Sequence, residues 1–186
     1  MADDAIKVLF LQGAGEGTHD DCDSRLVDSL TRALGPAYTV SFPRMPEEGN
    51  PQFALWATAI IHEIDTLRPS MIVGHSFGGT VLIHTLAQHG RLLNNITGIC
   101  LIAAPFLGDG GWSWEGFTLV EGWAKPLATF PVHLFQGDAD VIVAANHAEL
   151  YAAAIPNAHL HTLPGHDHML NNDMSEVARV LLSLSI

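Results

Sequence analysis

The sequence contains few basic residues. Lys and Arg number 8 against 20 Asp and Glu in 186 residues, which gives a formal net charge of -12 at pH 7. Proteins that bind nucleic acids or anionic membranes concentrate positive charge, because attraction to phosphate and counterion release drive that binding. The shortage of basic residues therefore argues against a nucleic-acid partner and against an anionic membrane surface.

Long apolar runs and cysteine frameworks are also missing. No apolar stretch approaches the roughly 18 to 20 residues needed to cross a bilayer, so we expect no membrane insertion. The segment Met1–Ala5 is acidic where a secretory signal is basic, which predicts a cytoplasmic protein. Two cysteines, Cys22 and Cys100, are too few for a disulfide framework, and we expect both to be free thiols.

What the chain does contain is an alternation of short apolar runs with stretches of helical periodicity. Strands are predicted at residues 6–11, 38–42, 70–74, 96–103, 132–136 and 159–163, and helices at 26–34, 53–67, 77–88, 144–154 and 175–184. Asp20, Asp21 and Asp23 precede the first helix, where carboxylates suit the helix dipole and cap. This alternation predicts a three-layer α/β/α sandwich with a mostly parallel sheet of about six strands, in one domain over residues 1–186.

The segment Gly74-His75-Ser76-Phe77-Gly78 joins the third predicted strand to the third predicted helix. It has the form Gly-x-Ser-x-Gly, in which the serine sits on a strained turn with its hydroxyl above the sheet. Glycines flank the serine because a Cβ atom there would collide with neighbouring backbone. We expect Ser76 to be a nucleophile and His75 to be a structural residue packed under the turn.

A serine hydroxyl needs an imidazole to accept its proton and a carboxylate to orient that imidazole. Two carboxylates, Asp138 and Asp140, follow the fifth predicted strand, and two imidazoles, His166 and His168, follow the sixth. Catalytic groups gather at the carboxyl ends of parallel strands, so we expect one residue of each kind beside the serine. The alternative use of the last loop, which also contains Asp167, is a metal site, and we do not expect one.

These features together resemble the α/β-hydrolases over nearly the whole chain, including the family's chain order of Ser, Asp and His. The small size is similar to that of the retinoblastoma-binding-protein-9 and YdeN-like serine hydrolases. The resemblance implies a minimal α/β-hydrolase fold, a catalytic triad and no cofactor. The family's Gly-x-x-Asp-x-x-Val pattern selects Asp140 within 137–143, and its glycine-containing loop followed by an apolar residue selects His168 before Met169.

Attack on a carbonyl places negative charge on its oxygen, and backbone amides commonly stabilise that charge. The amide of Phe77, directly after the nucleophile, is one expected donor. The second should come from the loop after the first strand, where we choose Ala14 over its competitor Gly15. The family often has a histidine in this loop where the chain has Gln12, which leaves the supporting hydrogen bonds of the loop open. The loop glycines lack the Gly-x-Gly-x-x-Gly spacing of a dinucleotide site.

An irregular, aromatic segment at residues 106–126 interrupts the alternation after the fourth strand. Long connections inside compact domains are often functional. The segment is interpreted either as a lid that walls an apolar acyl pocket or as a satellite cluster that covers the sheet. The expected pocket residues are Gly15, Trp112, Trp114, Phe117 and Trp123.

The sequence therefore predicts a serine hydrolase that cleaves a small carboxylic ester through a covalent acyl-enzyme. Few basic residues are available to hold an anionic substrate, so we expect a neutral ester, with Arg25, Arg44 and Arg91 as candidate exceptions. The alternatives are a non-hydrolytic enzyme of the same fold, by C–C cleavage or perhydrolysis, and a protein-binding module with a vestigial triad.

Overall fold

Six parallel strands form one sheet in the computed structural model, which describes residues 5–185. The strands are β1 (Ile6–Leu11), β2 (Tyr38–Ser41), β3 (Met71–His75), β4 (Gly98–Ile102), β5 (Val132–Gly137) and β6 (Ala158–Leu163). Their order across the sheet is β2-β1-β3-β4-β5-β6. The central strands are continuous apolar runs because helices cover both faces of the sheet. The predicted parallel sheet is confirmed.

Five α-helices within the described residues cover the two faces of this sheet. They are α1 (Ser24–Leu34), α2 (Phe53–Leu67), α3 (Ser76–Gln88), α4 (Asn146–Ala154) and α5 (Ser175–Ser183). One hydrophobic cluster joins α1 and α5 to one face, and a larger one joins α2, α3 and α4 to the other. The predicted three-layer arrangement is therefore confirmed. None of the helices between residues 5 and 185 is both long and apolar enough to cross a membrane.

Several element boundaries differ from the sequence prediction. The fourth strand ends at Ile102 rather than at Ala103, because Ala103 adopts a positive φ of 46° that extended backbone does not allow. The fourth helix begins at Asn146 because residues 144 and 145 belong to the turn that precedes it. Four shorter helical pieces are not predicted by periodicity, namely a π-helix at His19–Asp23 and 3-10 helices at Gly90–Asn95, Lys125–Leu127 and Leu170–Asn172.

The two cysteines are free thiols in different surroundings, as expected. Cys22 is exposed, whereas Cys100 is buried in β4. Burial raises the pKa of the Cys100 thiol, which keeps the thiol protonated and unreactive at neutral pH.

The backbone of α3 approaches the ends of β1 and β3 very closely. A Cβ atom on Gly78 would lie 2.1 Å from the Gln12 carbonyl oxygen, and one on Gly74 would lie 2.5 Å from the Cα of Gly79. Contacts this short with backbone atoms leave no room for a side chain. The expected collision at the flanking glycines is therefore present, and it locks the first turn of α3 against the sheet.

We expect Gly78→Ala to lower the free energy of unfolding by about 2 to 3 kcal/mol, because the new methyl group displaces backbone at the Gln12 carbonyl. Urea denaturation of wild type and variant measures the difference. The matched control is Gly90→Ala, whose Cβ atom would meet nothing within 4 Å. Equal stability of the Gly78 and Gly90 variants would contradict the close approach.

Candidate active site

Ser76 occupies the turn between β3 and α3. Its φ angle is 48°, in the left-handed region that non-glycine residues rarely adopt. The side chain is half-buried, and its hydroxyl has no hydrogen-bond partner within residues 5–185. The strained turn that the sequence predicts is therefore present, with a free hydroxyl at the carboxyl end of the sheet.

The loops after β5 and β6 bring Asp140 and His168 together. His168 Nδ1 lies 2.8 Å from Asp140 Oδ2, and the side chains are 12% and 0% exposed, respectively. The other carboxylate oxygen of Asp140 accepts hydrogen bonds from the amides of Ile142 and Val143 at 2.8 and 2.9 Å. Because the carboxylate is held on both oxygens, it fixes one orientation of the His168 ring.

The competing residues of the same loops are engaged elsewhere. Asp138 is exposed, and its carboxylate accepts a hydrogen bond of 2.6 Å from the amide of Gly165. His166 Nδ1 lies 3.0 Å from the carbonyl oxygen of Pro164. Asp138 and His166 therefore form no hydrogen bond with each other.

The loop after β6 does not have the arrangement of a metal site. Asp167 Oδ1 accepts hydrogen bonds from the amides of Met169 and Asn171 at 2.9 and 2.8 Å. His168 is already bound to Asp140. Within residues 5–185, no group of three or more His, Cys, Asp or Glu side chains is arranged to hold a metal ion.

Burial and hydrogen bonding act in opposite directions on the pKa of Asp140. Removal from water alone would raise this pKa, but the hydrogen bonds from His168, Val143 and Ile142 outweigh burial and lower it. Burial lowers the pKa of His168, the positive charge of nearby His75 lowers it further, and the hydrogen bond to Asp140 offsets this only in part. At pH 7 the carboxyl is ionised and the imidazole neutral, as a general base requires.

The two amides expected to stabilise the oxyanion belong to Phe77 and Ala14. Phe77 is the second residue of α3, where backbone N–H groups have no acceptor within the helix. A Cβ atom on Gly13 would lie 3.2 Å from Ser76 Cβ, so the loop after β1 runs directly beside the nucleophile. The next amide, that of Ala14, has no acceptor among the described residues, whereas the amide of Gly15 donates to the carbonyl of Glu48 at 2.7 Å. These contacts favour Ala14 over Gly15 as the second donor.

Gln12 and Glu48 provide the hydrogen bonds that support this loop. Gln12 Oε1 accepts from the amide of Met45 at 2.9 Å, and Gln12 Nε2 donates to the Glu48 carboxylate. The same carboxylate accepts from the amides of Gly17 and His19 at 3.1 and 3.2 Å. Gln12 and Glu48 thus hold the loop together, and the sequence analysis did not identify the contribution of Glu48.

Asp23 has a different role from the one expected of it. It stands at the N-cap of α1 but makes no side-chain capping hydrogen bond. Its carboxylate is fully buried, accepts from the amide of Gly13 at 2.7 Å and contacts His75 Nδ1 at 3.0 Å. No signal in the sequence distinguishes Asp23 from its neighbours Asp20 and Asp21, because the contacts that bury it come from distant segments.

The aromatic segment at residues 106–126 packs on α2 and α3. Trp114 packs on Phe77 in a tilted contact, with ring centres 4.1 Å apart and ring planes inclined by 30°. Phe117 and Trp123 instead contact His84, which lies two helical turns further along α3. The ring centres of these two residues are 4.7 and 4.4 Å from that of His84, respectively. Of the expected pocket residues, Trp114 therefore comes closest along α3 to the nucleophile.

Trp112 lies at the outer edge of the segment and is 38% exposed. Its ring meets His147 edge to face at 5.3 Å. A cavity of about 760 Å³ opens within the segment and is lined in part by Trp112, Trp114 and Phe117. Ser76 does not line this cavity, so the cavity is not built around the nucleophile.

Solved structures of several hydrolases are similar to this chain. The esterase domain of a Rhodothermus marinus protein has a TM-score of 0.67 at 20% identity, with 98% of this chain and 88% of that chain covered. A serine hydrolase involved in carbazole degradation has a TM-score of 0.73 at 15% identity, with 99% of this chain and 92% of that chain covered. A meta-cleavage product hydrolase from Pseudomonas fluorescens has a TM-score of 0.69 at 16% identity, with 98% of this chain and 91% of that chain covered. The shared architecture is the α/β-hydrolase fold.

Sequence comparison identifies the family directly. No curated protein sequence matches the chain. Residues 28–175 match the family model described as serine hydrolase, a range that includes Ser76, Asp140 and His168 but begins after the loop that follows β1. Because the match covers well over half of the 186 residues, the chain belongs to the serine hydrolase family.

Proposed function

We propose that this serine hydrolase cleaves small, neutral carboxylic esters, with Ser76 as nucleophile, His168 as general base and Asp140 as the residue that orients the base. The observation that carries the proposal is the 2.8 Å hydrogen bond between His168 Nδ1 and the buried Asp140 carboxylate. Because Asp140 accepts at Nδ1, the lone pair of the neutral ring is on Nε2, where it can accept the serine proton.

Acylation begins when Ser76 Oγ attacks the ester carbonyl carbon while its proton passes to His168 Nε2. The carbonyl oxygen becomes an oxyanion, which the amides of Phe77 and Ala14 stabilise as hydrogen-bond donors. As the tetrahedral intermediate collapses, the ester C–O bond breaks and His168 returns the proton to the departing alkoxide. The products of this half-reaction are an alcohol and an acyl group on Ser76.

Deacylation repeats these steps with water as the nucleophile. His168 accepts a proton from water, the resulting hydroxide attacks the acyl carbon, and the same two amides stabilise the second oxyanion. Collapse releases a carboxylic acid and returns the proton from His168 to Ser76 Oγ. No cofactor or metal is needed to balance either half-reaction.

The charge around the site supports a neutral substrate. Of the three candidate arginines, Arg44 is paired with Asp20 and Glu48 and Arg91 with Asp65, whereas Arg25 is exposed on α1 and makes no ion pair within residues 5–185. The aromatic contact of Trp114 with Phe77 adds apolar surface beside the nucleophile. These contacts support an uncharged acyl group more than a phosphate or a dicarboxylate.

We expect Ser76→Ala to reduce kcat on a short p-nitrophenyl ester by at least about 10³-fold, because no other group supplies the nucleophile. A fluorophosphonate probe should label wild type and the control variant Ser41→Ala, but not Ser76→Ala. Folded wild type that takes no label would instead support a binding module. Activity on a C–C substrate or in perhydrolysis, with no ester turnover, would support the non-hydrolytic alternative.

The assignment of acid and base is tested by matched pairs of variants. We expect Asp140→Asn and His168→Ala each to lower kcat by about 10³-fold or more, because the base is lost or held in the wrong tautomer. Asp138→Asn and His166→Ala should stay within several-fold of wild type. Steady-state kinetics on one ester measures all four, and a larger loss in the second pair would reverse the assignment.

The acid limb of the kcat/KM profile should lie below pH 6.5. Burial and the nearby charge of His75 lower the pKa of His168. The imidazole therefore stays neutral and able to accept a proton until the pH falls below the range in which a histidine usually titrates. Activity should be lost as the pH falls through that lowered value, while Asp140, whose pKa is also lowered, stays ionised. An acid limb at or above pH 6.5 in the pH dependence of ester hydrolysis would refute this assignment.

A further inference from the structure

A second Asp–His pair, formed by Asp23 and His75, lies directly behind the candidate active site. The two side chains are 0% and 2% exposed. His75 Nδ1 lies 3.0 Å from each oxygen of the Asp23 carboxylate. The other ring nitrogen, Nε2, lies 3.2 Å from the carbonyl oxygen of His168. The pair therefore includes the residue before the nucleophile and touches the main chain of the candidate base.

The contacts of His75 determine where its protons lie. A carbonyl oxygen only accepts hydrogen bonds, so His75 Nε2 carries a hydrogen and donates it to His168. The Nδ1 atom faces a carboxylate, so a second proton must lie between Nδ1 and Asp23. The Gly13 amide donates to Asp23 Oδ2 at 2.7 Å, so this oxygen, which also lies 3.0 Å from His75 Nδ1, already serves as a hydrogen-bond acceptor. The proton is thus assigned to the ring.

We propose that Asp23 and His75 form a buried carboxylate–imidazolium pair that positions the active site and keeps His168 neutral. The proposal rests on the function assigned to His168 above. Neither residue touches the reacting atoms, so both are positioning residues. The opposite charges compensate each other, which is a condition for burying either of them.

The pair connects three segments that are far apart in sequence. Asp23 holds the amide of Gly13, the residue before Ala14 in the loop after β1. His75 is the last residue of β3 and directly precedes Ser76. Through Nε2 it binds the main chain at His168. One ion pair thus sets the relative positions of the proposed oxyanion donor, the nucleophile and the base.

The same pair acts on His168 through its charge. The ring centres of His75 and His168 are 4.9 Å apart, so a proton on His168 would place two cations side by side. The ionisable groups that act on His168 are His75, Asp140 and Asp23, and His75 lowers the pKa of His168 whereas both carboxylates raise it. Asp23 is the weakest of these influences, so the net effect of the pair is to disfavour the protonated base.

The variant Asp23→Asn removes the charges while it conserves the hydrogen bonds. The amide oxygen of asparagine can accept from Gly13, and its NH₂ group can donate to a neutral His75 Nδ1. We expect the acid limb of kcat/KM to move to higher pH by roughly half a unit, since His168 no longer faces a cation. The plateau value of kcat/KM above the acid limb should stay within about tenfold of wild type, because the hydrogen bonds around His75 are conserved.

The matched control is Asp65→Asn, which removes one carboxylate from the exposed pair with Arg91. Its acid limb should coincide with that of wild type. A loss of stability or of plateau activity in Asp23→Asn, with an unmoved acid limb, would overturn the charge effect and leave only a structural role. If Asp23→Asn changes neither the acid limb nor the plateau of the kcat/KM profile, the whole proposal is overturned.

The protonation state of His75 has a readout that does not depend on catalysis. In the side-chain ¹⁵N NMR spectrum at pH 7, both ring nitrogens of His75 should be protonated, with the signals assigned by their loss in His75→Gln. In Asp23→Asn the ring should be neutral, with its hydrogen on Nε2. A neutral His75 in wild type would overturn the proposal even if esterase activity is found, whereas a protonated ring in an inactive protein would refute only the proposed function.

Discussion

The contact between the first turn of α3 and the end of β1 determines the geometry of the site. Gly78 lies so close to the Gln12 carbonyl that a Cβ atom would come within 2.1 Å of that oxygen. Ser76 reaches this position only through a left-handed turn with φ of 48°. The same approach brings Gly13 against the nucleophile, since a Cβ atom on Gly13 would lie 3.2 Å from Ser76 Cβ. Local strain at one residue is thus maintained by backbone packing around it.

Two Asp–His pairs lie around this turn, and their surroundings give the two histidines opposite protonation states. His168 has one acceptor, Asp140, and its other nitrogen has no hydrogen-bond partner within residues 5–185, so a neutral ring satisfies its contacts. His75 has acceptors at both nitrogens, and its pKa is raised because the attraction of Asp23 outweighs the effect of burial. We propose that these two neighbouring histidines serve as a proton acceptor and as a fixed cation, respectively.

The fold and much of the candidate site can be predicted from the sequence because they depend on local patterns. Short runs of strand-forming residues, most of them apolar, and helical periodicity identify every strand and α-helix of the described chain. The pentapeptide around Ser76 predicts the turn, and the loop patterns single out Asp140 and His168, which the structure brings into contact. The π-helix at His19–Asp23 and the exact helix ends were missed because tertiary contacts decide them.

By itself the sequence determined the strand order along the chain, the strained serine turn and the loops that contain the candidate carboxylates and imidazoles, since each of these is encoded in neighbouring residues. Only the tertiary structure decided which acidic residues matter around the turn. Asp23 and Glu48 look like ordinary loop carboxylates, yet both hold the loop after β1. Their roles depend on contacts across 10 to 36 positions of the chain, and such contacts exist only once the sheet has brought those loops to one edge.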